Sequence, residues 1–362
     1  MMEIYLIEYL IIAIVCFLYY NKKISINACI FICCTTLWFI VGLRHTSLGL
    51  VDTEKVYMNH FYSILNGGLS EINLGKDTMF YNITYIFIKI FGNKPHLYLL
   101  LMSFPYIFSV GHLIKKYSKN IFLSFIIFTS MQYFEISFTI MRQVIAMSIL
   151  LFSLNYLKDK KILKFIVIVL IASLFHQMAV IFIFAYPFMH LKPKSRIRLI
   201  ILGVISFFLI AKFYPSLIWK AANFLFENNN RYSHYASVGN TRTTSLVLFS
   251  TCLLFSCLGL FYIKKKKTKN SEELDMDQVL LSLSFLATMF APGTIIITEF
   301  SRIAYFFGIY NVCMVPNAIT YEKNKNTRFI INTVLTIVLV VYFIFFLGPG
   351  VNIIPYKFYW QN

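Results

Sequence analysis

"ISINACIFICCTTLWFIVG" (24–42) carries no charged residue, whereas "LRHTSLGLVDTEKVY" (43–57), directly after it, crowds Arg44, His45, Asp52, Glu54 and Lys55 together. The first part is long enough to cross a bilayer as a helix, which takes roughly 20 mostly apolar residues. The second part places scarce charge just beyond the end of that crossing. Charge is scarce throughout: 13% of the 362 residues are charged and 59% are hydrophobic, with 38 Phe and 24 Tyr. Mean hydropathy is +0.71. Such a composition excludes ordinary soluble and disordered chains and reads as a polytopic membrane protein.

The same pattern recurs in apolar runs at 3–20, 96–114, 120–137, 143–157, 197–215, 244–263, 278–297, 303–320 and 328–347. Only short polar breaks separate most of them, so 1–362 is expected to be a single transmembrane domain. The expected fold is an all-α, polytopic integral membrane bundle of about 10–12 helices, because backbone groups in lipid must be satisfied within each helix. Two stretches fit poorly. The segment 79–91, "MFYNITYIFIKIF", is short for a span and contains Lys89, while 163–189 is too long for one span and too short for two.

Lys and Arg accumulate in cytoplasmic loops. "NKK" (21–23), "KKYSK" (115–119), "KDKKILK" (158–164), "KPKSRIR" (192–198), "KKKKTK" (264–269) and "EKNKNTR" (322–328) hold most of the 33 basic residues. Placing all six inside requires 79–91 to lie on or dip into the outer face, and 163–189 to enter and return with His176 at its apex. The alternative is that both segments cross and one basic loop is an exception. Both termini and the loops of about 43–95 and 216–243 are then outside. The first run contains acidic residues and no basic stretch precedes it, so it is expected to be a span and not a cleaved signal.

The net charge of +18 is scattered through short loops beside apolar spans. It points to headgroup contact and not to nucleic acid. All seven cysteines lie in apolar runs, which reads as packing. Phosphate-loop, HExxH, GxSxG and GxGxxG patterns are absent. No two histidines stand at helical pair spacing and acidic residues do not cluster, so no cofactor or metal is expected. No internal repeat is evident, which weighs against an inverted-repeat transporter.

Arg44 ("GLRHT"), Arg142 ("TIMRQV") and Arg302 ("EFSRIAYF") each stand at the outer end of an expected span. A single Arg at a helix end commonly snorkels to headgroups. Burying one costs roughly 2.5–3.5 kcal/mol even on lenient scales, so a partner or cavity is expected. Three on one face, two of them near Gln143 and Glu299, would suit a diphosphate, whose oxygens match the guanidinium fork.

"GLRHTSLGLVDTEKVY" (42–57) resembles the G-L-R-x…G-x-D-T-x-x-Y motif of the EpsG family, Wzy-type membrane proteins that polymerise bacterial surface polysaccharides. "TIMRQVIAMSILLFSLNYL" (139–157) is similar to the family's I-R-Q-x-x-A helix, and "LIASLFHQMAVIFI" (170–183) to its A-x-x-F-H-x-x-A segment. "SRIAYFFGIYNVCMVP" (301–316) resembles its late R-I-x-x-Y-F…P helix. One position departs: Val51 precedes Asp52 where the family often has Gly, with Gly49 displaced by two residues.

The resemblance implies a glycosyltransferase of the bacterial cytoplasmic (inner) membrane that makes O-antigen or exopolysaccharide. It would move a growing glycan from undecaprenyl diphosphate to the next lipid-linked repeat unit at the outer face. An inverting single displacement needs one base, for which Asp52 and His176 are the candidates. Arg44, Arg142 and Arg302 would hold the diphosphate. Tyr57, Gln143, Glu299 and Arg231 would contact sugar or phosphate, Arg231 from the outer-loop stretch "FENNNRYSHYASVGNTR". Competing local readings are an interfacial Tyr57, a Gln143 bound to backbone and an i, i+3 brace between Glu299 and Arg302. Implied partners are the lipid-linked donor and acceptor, membrane lipids and a chain-length-regulating co-polymerase. A lipid-linked oligosaccharide flippase and a ligase-like transferase are the alternatives.

Overall fold

Apolar sequence becomes helix almost everywhere. The computed structural model describes residues 2–49, 52–71, 77–214, 216–217, 220, 241–263, 275–295, 297 and 300–361. In chain order its main helices are α1 (Glu3–Tyr20), α2 (Ile26–Gly42), α3 (Asn59–Gly67), α4 (Thr78–Phe91), α5 (Pro95–Tyr117), α6 (Ile121–Ser130), α7 (Gln132–Thr139) and α8 (Met141–Leu150). They continue as α9 (Ile162–Phe175), α10 (Pro193–Phe213), α11 (Thr241–Ile263), α12 (Met276–Phe290), α13 (Ser301–Gly308), α14 (Asn311–Ile319) and α15 (Lys325–Tyr342). Among the described residues there is no strand, and β pairing is confined to an isolated bridge between Arg44 and Phe358.

Large apolar side chains face outward in a way that water would not tolerate. Phe329 of α15 is 71% exposed, and Ile330 and Ile337 are each 58% exposed. Leu10 and Phe17 do the same on α1. Hydrocarbon is the solvent that suits such faces. Among the described residues five helices are long and apolar enough to cross a membrane, or six if the bent α6–α7 pair counts as one span. The protein is an all-α polytopic membrane protein.

Contacts group the chain into two units. The first comprises Met1–Leu154, Leu163–Val180 and Lys323–Asn362. Within it α2 and α5 pack closely: a Cβ on Gly111 of α5 would collide with Cys34 Sγ, and one on Gly42 with Leu100. Small residues of this kind let helix backbones approach where no hydrophobic drive exists in lipid. The carboxy-terminal stretch 351–361 folds back on the 43–49 loop. His45 N–H donates to the Lys357 carbonyl at 2.9 Å and Tyr359 N–H to the Leu43 carbonyl at 3.0 Å. The Tyr356 hydroxyl donates to the Ile40 carbonyl at 2.8 Å.

The expected span 120–137 is broken: α6 and α7 meet at Met131 with a bend of 50°. Met131 is extended (φ −101°, ψ 172°). Side chains serve the interrupted backbone region, since the Tyr106 hydroxyl donates to the Tyr133 carbonyl at 2.8 Å. Tyr9 and Ser130 hydroxyls pair at 2.8 Å beside the break. Polar groups supplied by neighbouring helices are what make a broken helix tolerable at depth. A second break at Ile140 (φ −104°, ψ 62°) starts α8 and puts Arg142 in its first turn.

The segment 163–189 has the returning path expected of it. The Tyr186 hydroxyl donates to the Lys160 carbonyl at 3.0 Å, so the chain that leaves along α9 is back beside its start by residue 186. His176 stands between α9 and the 3₁₀ turns of Gln177–Phe184, at the tip.

The second unit comprises Asn155–Ile162 and Ile181–Glu322. There the expected span 303–320 is also divided, into α13 and α14, at the turn of residues 309–310 that follows Gly308. Asp277, at the start of α12, accepts from Asn317 Nδ2 at 2.9 Å and from the Tyr321 hydroxyl. Ser256 of α11 pairs with Ser284 and Thr288 of α12 at 2.9 and 2.8 Å.

Gly111→Ala is expected to destabilise the protein in detergent by about 1–3 kcal/mol through overpacking. Adding Cys34→Ala should recover much of that loss, because Sγ is the atom struck. Thermal unfolding of the two variants checks both parts.

Candidate functional site

The charged loop of the opening stretch clamps the end of α7. The Phe138 carbonyl accepts from Arg44 Nη2 at 3.1 Å and from the Thr53 hydroxyl. Arg44 also donates to the Val41 carbonyl at the end of α2, and its guanidinium lies 5.3 Å from the Phe138 ring centroid. Gly49, with φ +80°, passes so close that a Cβ would lie 2.6 Å from Phe138 Cβ, so both its backbone and its space require glycine. Arg44 is 1% exposed. Its guanidinium therefore braces helix ends here.

That clamp fixes the start of α8, and there the site assembles. Asp77, immediately before α4, is 7% exposed and receives three donors. Arg142 Nη1 lies 2.9 Å from Asp77 Oδ2, His176 Nδ1 lies 3.3 Å from the same oxygen, and the Gln177 N–H donates to Oδ1 at 2.9 Å. Arg142 Nη1 is also 3.3 Å from the Tyr81 hydroxyl. Its guanidinium sits about 6 Å from the ring centroids of Tyr57 and Tyr81. The Arg142 side chain keeps 26% of its surface exposed. Its Nε is enclosed and has no hydrogen-bond partner among the described residues, so the exposed part of the guanidinium is what an anion can meet.

Aromatic packing holds these groups in place. Tyr57, Phe61, Phe80, Tyr81, Tyr98 and Met141 belong to one buried cluster joining α3, α4, α5 and the start of α8. The Tyr57 and Phe80 rings meet edge to face at 5.6 Å, and His60 meets Tyr81 likewise at 5.1 Å. The Tyr98 hydroxyl pairs with Thr84 at 2.9 Å. Burial by itself would raise the Asp77 pKa. The His176 contact, followed by the Arg142 charge and the Gln177 N–H, outweighs it and holds the carboxyl below its ordinary value.

Of the residues singled out in the sequence, Arg142, His176 and Tyr57 come together. Tyr57 is 4% exposed, so its ring is a floor for Arg142 and is closed to a sugar. Gln143 is 1% exposed and turns away, its Nε2 3.9 Å from Met147 Sδ. Asp52 precedes the π-helical turn Thr53–Met58 and is half-buried. Arg302 opens α13 in the second unit and is half-buried. Arg231 and Glu299 lie outside the described residues.

Asp77 and Tyr81 were missed, although the sequence held a signal. "GKDTMFY" (75–81) satisfies the spacing G-x-D-T-x-x-Y without displacement, whereas 49–57 satisfies it only with shifts. Among the described residues one thiol trio, Cys16, Cys29 and Cys33, lies close enough to share an ion, with all Sγ atoms within 4.8 Å. It belongs to the α1–α2 contact, and all three side chains are enclosed.

A family model described as the EpsG family matches residues 27–358. No curated protein and no solved structure matches the chain.

Because the folded Asp77 pKa is lowered, its stabilising contribution is present above the ordinary Asp value of about 3.9 and is lost as pH falls through the folded value. Unfolding temperatures of the wild type should fall toward that acid limit. Asp77→Asn should be less stable at neutral pH, by about 3 kcal/mol given a partly exposed Arg142, and should lose that acid dependence.

Proposed function

Because the chain belongs to the EpsG family, a Wzy-like family of polysaccharide polymerases, we propose that it extends a glycan held on undecaprenyl diphosphate. The growing chain is transferred to the next lipid-linked repeat unit at the outer face of the cytoplasmic membrane, with inversion at the anomeric carbon. The observation that carries this reading is the meeting of Arg142, Asp77 and His176 from three separate elements.

In the transfer, an acceptor hydroxyl oxygen bonds to the anomeric carbon as the bond to the diphosphate oxygen breaks. Positive charge builds on the sugar and negative charge on the leaving group. Arg142 answers the second need. It is partly exposed and occupies the first turn of α8, where the helix dipole also favours an anion. Arg302, in the second unit, is a candidate phosphate ligand on its R-I-x-x-Y-F resemblance alone.

His176 is the base of the proposal. With Asp77 accepting the Nδ1 proton, Nε2 is the basic nitrogen, and it takes the proton that the acceptor hydroxyl loses. Asp77 suits the orienting role better than the basic one, since ion pairing weakens its own affinity for a proton. Asp52 is the second candidate base, and Arg44 contributes by holding the frame.

The test is polymerisation by protein purified in lipid and supplied with its own cell's undecaprenyl-diphosphate repeat unit. Wild type is expected to give a ladder of lipid-linked oligomers. Arg142→Ala and folded His176→Gln should each lower ladder formation by about 10²-fold or more. Wild type that leaves the unit at single length, yet moves it across vesicles or onto another acceptor, would contradict the proposal.

A further inference from the structure

Among the described residues, the second unit holds a buried cation with no anion beside it. Arg196, in the first turn of α10, is 6% exposed. Its Nη1 donates to the Ser282 hydroxyl, and its Nε has no hydrogen-bond partner among the described residues. Among those residues no carboxylate reaches it either. Asp277, one residue before Gln278, is already taken by Asn317 and Tyr321. An isolated guanidinium this deep is costly unless something negative joins it.

The surroundings say what kind of anion fits. Arg196 lines a cleft of about 110 Å³ whose other walls include Ile197, Leu260, Ile263, Leu281 and Phe285. Gln278 and Ser282 are its neutral polar groups. Three helix ends form it: the start of α10, the end of α11 and the start of α12. In sequence those ends adjoin "KPKSRIR" (192–198) and "KKKKTK" (264–269), two of the most basic stretches of the chain. A cleft that is apolar along its walls, cationic within and adjoined in sequence by basic stretches matches an amphiphile with a phosphate head.

We propose that this cleft is a site for an anionic phospholipid, with the lipid phosphate on the Arg196 guanidinium and an acyl chain along Leu260, Leu281 and Phe285. The lipid supplies the negative charge that no described residue brings to Arg196 and joins α10, α11 and α12 at their common end. The apolar walls favour a lipid over free phosphate, which would have nothing to place against them.

The full-length protein, stripped of lipid in neutral detergent, is tested with phosphatidylglycerol, phosphatidylcholine or inorganic phosphate. Thermal unfolding and native mass spectrometry of retained lipid are the readouts. Phosphatidylglycerol is expected to raise the unfolding temperature several degrees more than phosphatidylcholine, and Arg196→Gln to lose that excess. Without lipid, Arg196→Gln should be at least as stable as wild type, because a lone buried charge has been removed. Should Arg196→Gln not fold, Leu281→Trp fills the cleft, keeps Arg196, and is expected to lose the same excess. Equal stabilisation by the two lipids, an excess that survives either variant, or full reproduction by inorganic phosphate would each overturn the proposal.

Discussion

The carbonyl oxygen of Phe138 is the point on which the first unit turns. It ends α7 just before the break at Ile140, where helix geometry leaves acceptors without helical donors. Arg44 and Thr53 supply those donors from the charged loop, and Gly49 lets the loop approach closely enough to do so. The carboxy-terminal stretch then holds the loop from its other side. Arg44 is thus architectural: with Thr53 and Gly49 it fixes a break in a helix so that Arg142 begins the next one.

Asp77 plays the corresponding part for charge. Arg142 and His176 come from different elements and meet at one carboxylate oxygen. The carboxylate accepts from both, and the Gln177 N–H fixes its second oxygen. Aromatic rings close the sides, so the pairs sit where Coulomb interactions are stronger than in water. In the proposed reaction the same arrangement leaves Arg142 partly exposed toward phosphate and gives His176 a defined tautomer.

Much of this was legible in the sequence. The all-α membrane class followed from apolar run length, and the returning segment with His176 at its tip followed from counting basic loops. Arg142 and His176 were found through short motifs that the structure places together. Other features were less visible. The breaks at Met131 and Ile140 carry neither Pro nor Gly and depend on hydroxyls donated by distant helices. Arg44 reads as a phosphate ligand from position alone, yet the fold encloses it among carbonyls. Asp77 was overshadowed because its motif repeats one that occurs earlier in the chain, and only spatial proximity shows which copy faces Arg142.

The central claim is that Asp77 joins Arg142 and His176 into one catalytic arrangement. A double-mutant cycle of Asp77→Asn and His176→Gln, read as polymerisation rate in reconstituted vesicles with folding checked separately, tests it most directly. Coupled residues predict a double variant about as slow as the slower single one. Losses that multiply, or an Asp77→Asn enzyme with wild-type rate, would contradict the claim.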